Sequence, residues 1–416
     1  MNVKDFCRIY RVDEQTALVI GNQWWRSESE LPENGPGFLT LENLRENFRY
    51  TGLDPDVLPL LEKMTERINA DPNLVLLAWH TYRTLTAYES PRFQKWSRFD
   101  ELFDGDGGLF FLLIACSVPA LVRERLGQLG IPEQYMCCCS RIRGYFDTFM
   151  NGYGKQGLNP TQLHWLRHYV DGNVFRVGRF EYALAKSEHY NAVVFRHRRT
   201  GAVVAVPGPC EQRFDKDGYV LYAEDDGPAF RGAFTEVDGV VSAIPLNPRG
   251  VAEHRLVKFP AEEWEMVVAP GAEVLGLHIP EGGRMTPEVC RESFEQAFEF
   301  FEKYFPNHDF RGIFSSSWIF YPYYERVLPD SNLAAFMREL YLFPVQSSPV
   351  DGVYFIFGRD TGDFGSYPRD NSVRRAMLDV LQGGGRLRRG GMFFLKNELP
   401  LFGQQPYRKM KTGIEK

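Results

Sequence analysis

The sequence has few of the features that mark secreted, disulfide-bonded or membrane-spanning chains. Its seven cysteines are an odd number, and three of them are adjacent at residues 137–139. Such spacing gives neither a disulfide framework nor a metal site, so we interpret them as reduced thiols that fill the core. Residues 1–15 are charged where a signal peptide is apolar, so secretion is not expected and a cytoplasmic location is predicted.

The chain also lacks a long apolar run and an excess of positive charge. The longest apolar run, residues 109–121, contains Pro119 and is shorter than the roughly 20 residues that cross a bilayer. The 48 Lys and Arg are outnumbered by 54 Asp and Glu, which gives a net charge of −6. A protein that binds many phosphates needs a basic face. We therefore predict no membrane partner and no nucleic-acid partner.

Common catalytic and metal-binding motifs are missing as well. There is no P-loop, no G-x-S-x-G elbow and no paired C-x-x-C, so no metal is predicted. Residues 152–157 match the dinucleotide fingerprint, but they follow a predicted helix and open no βαβ unit. His164 and His168 have helical spacing but lack the glutamate of a zinc protease.

What is present is an ordinary globular composition, 44% hydrophobic and 14% aromatic, over a length that predicts two domains. In the first part, apolar residues recur at helical spacing, as at Val57, Leu61, Met64 and Ile68. Helices are predicted one after another, including one over residues 109–129. The glycine-rich stretch 151–159 interrupts this pattern. We expect an all-helical N-terminal domain over residues 1–158.

The second part begins with a helix at residues 160–170 and then changes to a period of two. Residues 174–181 alternate, and a hairpin is predicted over residues 192–196 and 202–206. Further predicted strands are 219–222, 239–244, 264–268, 274–279, 311–319, 353–357 and 392–395, with helices at 332–341 and 372–381. The expected fold class is therefore α+β, with a mixed α/β domain over residues 159–416.

One segment of this second part, residues 274–306, has the pattern of an anion-binding site. A short apolar strand is followed by Gly282-Gly283, by Arg284, and by Thr286-Pro287, a typical start for a helix. The first turn of a helix offers unpaired N–H groups, and glycine lets a phosphate approach the backbone. We predict that the cofactor-binding residues are Glu281, Gly282, Gly283, Arg284, Met285 and Thr286.

Five short pieces of sequence are the most specific landmarks. They are residues 163–167 (LHWLR), 177–180 (VGRF), 277–283 (LHIPEGG), 317–318 (SW) and 329–332 (PDSN). Together they resemble a bacterial family of acyltransferases with an all-helical N-terminal domain and a GNAT-like C-terminal domain. The resemblance covers most of the second part, whereas the first part fits by its helical architecture. The usual GNAT pyrophosphate signature is replaced here by Glu281-Gly282-Gly283-Arg284.

The resemblance implies an acyl-CoA-dependent N-acyltransferase that uses acetyl-CoA or another acyl-CoA and a small amine-type acceptor. Such a reaction needs a base for the amine and an acid for the leaving thiolate. His278, at the end of the strand before the loop, lies where GNAT enzymes often place the base. Ser317 and Tyr324 follow the next strand, where the acid is expected.

Other interpretations stay open at this point. His278 can be a structural histidine, and the tyrosines around Tyr324 can be packing residues. An arginine cluster near the C-terminus is either a site for the ribose phosphate of CoA or a solvated face: Arg374, Arg375, Arg386, Arg388 and Arg389. The main alternative function is a non-catalytic ligand-binding protein on a degenerate GNAT scaffold. An ester hydrolase is disfavoured because the nucleophile elbow is missing.

Overall fold

The structure is a computed structural model that describes residues 2–88, 93–225, 227, 229–359 and 362–409. The chain divides into two compact units, Met1–Arg176 and Val177–Lys416. Within the described residues, no helix is long and apolar enough to cross a membrane. The seven cysteines all lie in the described residues and form no disulfide; Cys137 and Cys210 are exposed, so not all of them fill the core as predicted.

In the described residues the first unit is helical, as predicted, up to strand β1 (Val174–Val177), with which it ends. Its helices are α1 (Val3–Ile9), α2 (Glu14–Ile20), α3 (Trp24–Ser29), α4 (Leu41–Phe48), α5 (Leu58–Asn69), α6 (Pro72–Thr86), α7 (Gly107–Ala115), α8 (Val118–Gln128), α9 (Arg141–Tyr153) and α10 (Pro160–Val170). The single helix expected over residues 109–129 is two helices, α7 and α8. Pro119 has no N–H and is tolerated only in a first turn, so a new helix starts around it.

A polar network is buried inside this helical unit. Ser27 Oγ lies 2.8 Å from His80 Nδ1 and 2.5 Å from the hydroxyl of Tyr88. The rings of Trp24 and Trp96 pack beside the imidazole. His80 is 0% exposed, and burial lowers its pKa from 6.5 to about 3. His80 is therefore neutral at physiological pH, and its hydrogen bond to Ser27 holds α3 against α6.

The second unit combines strands and helices. Its strands are β1 (Val174–Val177), where the chain leaves the first unit, β2 (Phe180–Lys186), β3 (Ala192–His197), β4 (Val203–Pro207), β5 (Arg213–Phe214), β6 (Phe230–Arg231), β7 (Phe234–Val237), β8 (Val240–Ala243), β9 (Leu246–Asn247), β10 (Val251–Ala252), β11 (Val257–Pro260), β12 (Trp264–Val268), β13 (Glu273–His278), β14 (Gly312–Ser317), β15 (Tyr341–Pro344) and β16 (Gly390–Leu395). Its helices are α11 (Pro287–Tyr304), α12 (Pro322–Val327), α13 (Asn332–Glu339), α14 (Val353–Phe357), α15 (Ser372–Gln382) and α16 (Pro406–Lys409). The α+β fold class predicted from the sequence is confirmed.

A six-stranded sheet in the order β1-β2-β13-β14-β16-β15 forms the centre of this unit. Strands β13 and β14 are parallel, whereas β13–β2, β14–β16 and β15–β16 are antiparallel. Helix α11 packs on one face, where Phe294 contacts Phe394 at a ring distance of 5.5 Å. Buried Ser293 on α11 donates to the carbonyl oxygen of Val177 at 2.7 Å. These contacts fix the start of α11 relative to the sheet.

A five-stranded sheet, β10-β9-β4-β3-β12, and a three-stranded sheet, β11-β8-β7, form a second layer. Phe195, Phe259 and Trp264 pack in their shared core, with ring distances of 4.7 and 5.2 Å from Phe259 to the other two. Tyr341 on β15 joins the layers, because its hydroxyl accepts from the backbone N–H of Ala205 on β4 at 3.1 Å.

Several local predictions in this unit were wrong. The strand expected over residues 353–357 is helix α14, which begins and ends at left-handed glycines, Gly352 and Gly358. A short continuous apolar run does not distinguish a strand from a helical turn, so the pattern could not decide. Residues 219–222 form only one isolated bridge, between Val220 and Phe214. The helix predicted over residues 332–341 ends earlier, at Glu339, and Tyr341 is the first residue of strand β15.

Candidate functional site

The site is built where two parallel strands end at the same edge of the sheet. Strands β13 and β14 pair at only two positions, Leu275 with Ile313 and Gly276 with Phe314. At the next position a side-chain hydrogen bond replaces the main-chain pairing: the hydroxyl of Ser315 donates to the carbonyl oxygen of Leu277 at 2.7 Å. Main-chain pairing between the two strands therefore stops before either strand ends, and the sheet opens at this edge.

Strand alternation decides which side chains share a face at this opening. His278 lies on the same face as Gly276, and Ser316 on the same face as Phe314. Because Gly276 and Phe314 are paired, His278 and Ser316 share one face. Ser317 follows on the opposite face. Its hydroxyl accepts the backbone N–H of Ile319 at 3.4 Å and so caps the turn after β14.

His278 is the last residue of β13 and is half-buried. Its cross-strand partner on β2 is Glu181, which is 0% exposed. Residues directly opposite in an antiparallel pair have Cβ atoms about 4.5–5.5 Å apart on the same face. The register therefore places the imidazole next to a buried carboxyl group.

The predicted cofactor loop follows directly. Glu281, Gly282, Gly283 and Arg284 are exposed, and Met285 and Thr286 are half-buried. The two glycines have φ of +74° and +68°, the left-handed region in which side chains are strained. Two consecutive left-handed residues turn the chain sharply away from β13 and leave the backbone of the loop open to solvent.

A second arginine, Arg179, lies beside this loop. It stands in the turn between β1 and β2, and its Nη1 donates to the carbonyl oxygen of Pro280 at 3.0 Å. A Cβ atom on Gly283 would lie 3.2 Å from Arg179 Nε, so glycine also makes room for this guanidinium. The loop thus carries positive charge from Arg179 and from Arg284.

The start of α11 has the predicted cap. Thr286 is the N-cap, and its hydroxyl accepts from the backbone N–H of Val289 at 3.4 Å, with Pro287 in the first turn. Glu288 is also in this turn. Its pKa is lowered because its carboxylate accepts its own backbone N–H and a hydrogen bond from Thr286. The helix therefore already holds one negative charge at the end where an anion would bind.

Tyr324 is less accessible than the other predicted catalytic residues. It lies on α12, is 0% exposed, and packs edge-on to Trp318 at 6.1 Å. Its hydroxyl has no hydrogen-bond partner among the described residues. Burial raises the pKa of this hydroxyl well above its ordinary value, with a further contribution from Tyr321. Tyr324 therefore stays protonated, as an acid must, but it does not line the opening.

A cavity of about 710 Å³ lies on the face that carries Ser316. Ser316 and Tyr190 form part of its wall, together with Cys210, Gln212, Gln346 and Arg389. The ring of Tyr190 packs 5.5 Å from Phe314, and a Cβ atom on Gly276 would lie 2.8 Å from the Tyr190 hydroxyl. Gly276 thus makes room for the hydroxyl of Tyr190 against the sheet. Burial raises the pKa of Tyr190 to about 12.

The C-terminal arginine cluster is occupied by internal contacts. Side-chain carboxylates pair with four of its members in ion pairs: Arg374 with Asp370, Arg386 with Asp225, Arg388 with Asp215, and Arg389 with Asp351. The fifth, Arg375, donates to the carbonyl oxygen of Arg369. Of the two interpretations, these contacts favour a structural face over a site for the ribose phosphate.

The structure brings His278 and the loop 281–286 to one edge, and adds residues that sequence reasoning missed. Glu181, Tyr190 and Ser316 come from three different segments, and only the register of β2, β13 and β14 brings them together. No local pattern could have found Glu181 or Tyr190. Ser316 adjoins the predicted Ser317, and counting faces along β14 would have favoured it. Within the described ranges, no group of three or more His, Cys, Asp or Glu could hold a metal ion.

Comparison with known proteins agrees with this architecture. A family model described as "GNAT-like C-terminal domain" matches residues 174–394, more than half of the chain. The chain therefore belongs to the GNAT-like C-terminal domain family. Comparison with curated proteins gives no match.

Solved structures of acyltransferases have a similar fold. One is an acyltransferase in complex with decanoyl-CoA and teicoplanin, at 18% identity and a TM-score of 0.63. Another is an acyltransferase mutant in complex with octanoyl-CoA, at 18% identity and a TM-score of 0.61. Both alignments cover 95% of this chain and 99% of the other. At this identity the likeness shows a shared fold, and it extends over the helical part as well.

Proposed function

We propose that the protein is an acyl-CoA-dependent N-acyltransferase that acts on a small amine-type acceptor. One observation carries the proposal: the parallel strands β13 and β14 part after two pairs, next to a half-buried histidine and a Gly-Gly loop that leads into a capped helix. An opening of this kind admits an extended thioester between the strands. The acyltransferase complexes of similar fold support acyl-CoA as the co-substrate.

The proposed reaction is direct attack on the thioester. His278 accepts the proton of the acceptor amine, the amine nitrogen bonds to the carbonyl carbon, and the carbon–sulfur bond breaks. The leaving thiolate then takes a proton from an acid. Ser317 and Tyr324 remain our candidates for this acid. Tyr324 supplies a hydroxyl that stays protonated, whereas Ser317 lies nearer the strand end.

The proposed cofactor site is the loop 281–286. Backbone N–H groups from Gly282 to Met285 would hold the pyrophosphate, and Arg284 would add a full positive charge. Glu281 and Thr286 would set the two ends of the loop. The similar acyltransferases bind octanoyl- and decanoyl-CoA, so long acyl chains belong in any substrate test beside acetyl-CoA. No metal is required by this reaction.

The proposed acceptor site is the cavity beside Ser316. A volume of about 710 Å³ accommodates a small molecule. Its wall includes several polar side chains and a tyrosine, which suits an acceptor with several hydrogen-bonding groups. We further propose a cytoplasmic location, which the run of adjacent reduced cysteines supports. A domain boundary after residue 158 stays a prediction.

Calorimetric titration with acetyl-CoA, octanoyl-CoA, decanoyl-CoA and free CoA at low salt tests the proposal. We expect micromolar binding that weakens about tenfold or more in Arg284→Glu, because a charge-assisted contact to phosphate becomes a repulsion. Arg291→Glu is the matched control, since it makes the same charge change on an exposed arginine of α11 that pairs with Glu295. If no CoA species binds the protein, the proposal is wrong.

The second candidate is a ligand-binding protein without catalysis on the same scaffold. Two observations favour it: Glu288 already satisfies the start of α11, and of the two acid candidates Ser317 lies on the opposite face from His278 while Tyr324 is fully buried. An acceptor screen with decanoyl-CoA separates the two functions. Tight CoA binding without release of free thiol, across amines of increasing size, would favour the binding protein.

A further inference from the structure

Glu181 is a fully buried carboxyl group that sequence reasoning did not select. It lies on β2, which forms a continuous antiparallel ladder with β13 from Glu273 to His278. At the last rung Glu181 is opposite His278, and the pair lies at the end of the sheet that opens beside β14. A charged side chain is almost never fully buried without a partner. The nearest titratable side chain that this register supplies is the imidazole.

Histidines that act as bases commonly have one ring nitrogen held by a carboxylate. Such a contact fixes the tautomer, orients the ring and stabilises the imidazolium that forms when the other nitrogen takes a proton. A glutamate on the neighbouring strand suits this purpose because the ladder prevents either backbone from moving. Strand register places the half-buried His278 directly opposite the buried Glu181, so a carboxyl group is close enough to act on the imidazole.

We propose that Glu181 is a positioning residue for His278: from the neighbouring strand, its negative charge orients the imidazole and stabilises the imidazolium that forms when His278 deprotonates the acceptor. This inference rests on the proposed acyltransferase function. In the reaction the proton moves from the amine to a ring nitrogen of His278. Glu181 itself gains no proton and touches no substrate.

Few other charged groups face this pair. From the turn before β2, Arg179 donates to the carbonyl oxygen of Pro280, two residues beyond His278. From the loop after β13, Glu281 is exposed. From β14, the residue at this level is the uncharged Ser316. Glu181 is therefore the carboxylate that strand register places beside the imidazole, and its charge should dominate the local effect on His278.

The test measures the pKa of His278 by NMR on histidine-labelled protein, without any substrate. The chain has eight histidines, and the signal of His278 is assigned by its loss in His278→Asn. We expect Glu181→Gln, which keeps the volume, to lower the pKa of His278 by about one unit or more, because the neighbouring negative charge is removed. Glu181→Asp keeps the charge and should largely preserve the pKa. It also serves as a second variant if Glu181→Gln does not fold.

Glu339→Gln is the matched control. Glu339 is another buried carboxyl group of the same unit, and it accepts the backbone N–H groups of Gly403 and Gln405 at 2.8 and 3.0 Å. Its replacement should affect stability but leave the pKa of His278 unchanged. An unchanged His278 pKa in Glu181→Gln, or an equal change in Glu339→Gln, would overturn the proposal.

Kinetics provide the second readout. Glu181→Gln should lower kcat/KM about 10- to 100-fold in the wild-type background. It should have little further effect in His278→Ala, because a residue that acts through another loses its effect when that residue is absent. Equal losses in both backgrounds would show that Glu181 does not act through His278. If no acyl transfer is found at all, the proposed function fails, and the NMR titration still decides the pairing.

Discussion

Each unit of the protein has a histidine with a serine close by, and the two histidines differ mainly in their access to solvent. In the helical unit, His80 is fully buried among aromatic rings and bonded to Ser27. In the GNAT-like unit, His278 ends a strand, is half-buried, and shares a face with Ser316 at the wall of a cavity. Similar side chains thus form a structural network in one place and a candidate site in the other.

The difference shows that residue type alone does not mark a site. The network around Ser27 resembles a nucleophile with its base, yet no substrate can reach it, and burial keeps the imidazole neutral. His278 has access because main-chain pairing with β14 ends two residues earlier. The accessibility of His278 therefore depends on where the backbone pairing ends and not on the type of side chain.

The largest expected effect comes from His278→Ala. Loss of a general base should lower turnover by about 10²- to 10⁴-fold, while acyl-CoA binding and stability change little because the imidazole is at a strand end. Steady-state kinetics with parallel calorimetry measure both quantities. Retained turnover would show that His278 is not the base. His278 would then be a structural histidine, as His80 is.

A smaller effect is expected from His80→Phe, and it should be on stability rather than on turnover. This variant keeps an aromatic ring but loses the hydrogen bond to Ser27. At pH 7 the free energy of unfolding should fall by about 1–2 kcal/mol, without loss of turnover. The unfolded imidazole takes a proton near pH 6.5 and the folded one only near pH 3. Between these values the unfolded chain binds one more proton, so the wild type loses up to about 1.4 kcal/mol per pH unit as the pH falls.

The His80→Phe variant lacks this titration, so its deficit should shrink or reverse towards pH 5. Urea unfolding followed by the fluorescence of the neighbouring tryptophans, at pH 7, 6 and 5, measures the difference. A deficit that does not change with pH would mean that His80 is protonated to the same extent in both states, contrary to its burial.

The smallest effect is expected from Ser316→Ala. Ser316 is exposed in the cavity wall, so we expect the KM for the acceptor to rise by less than about tenfold, as for one lost hydrogen bond. Unfolding should be unchanged. Ser315→Ala is the matched control: it removes a buried bond to Leu277 and should cost about 1 kcal/mol of stability. A stability loss in Ser316→Ala would place that serine in the structure rather than in the site.

Much of the fold could be predicted from the spacing of apolar residues and from the glycine, proline and polar residues that separate the helices and strands. The helical first part, the hairpin of β3 and β4, and the strand–glycine–helix segment all follow from local patterns. The family resemblance ordered these pieces, and the family match agrees with it. Predictions were wrong where local sequence is ambiguous, as in the apolar residues 353–357, which form α14 because glycines at both ends close a single helical turn.

The site was only partly predictable. His278 and the loop 281–286 are adjacent in sequence, so a local pattern sufficed. The position of Glu181 depends on the register of two strands that are about 90 residues apart in the chain, and a one-residue slip would turn it to the other face. Tyr190 follows β2 and contacts the sheet only in the folded chain. The sequence of β14 offers three consecutive serines, and only the pairing of Gly276 with Phe314 decides which of them faces the cavity.

The unpaired peptide groups of a sheet normally lie along its two outer strands. In this sheet, two neighbouring central strands, β13 and β14, also have unpaired peptide groups at one end. Where β13 and β14 part, the peptide groups of two strands face a gap that the hydroxyl of Ser315 closes at its inner end. In the proposed function, such a gap would favour a slender, extended molecule that can exchange hydrogen bonds with a strand. Ser315 would then limit how far such a molecule enters, so we expect a bulkier side chain at position 315 to weaken the binding of acyl-CoA without altering any of the proposed reacting groups.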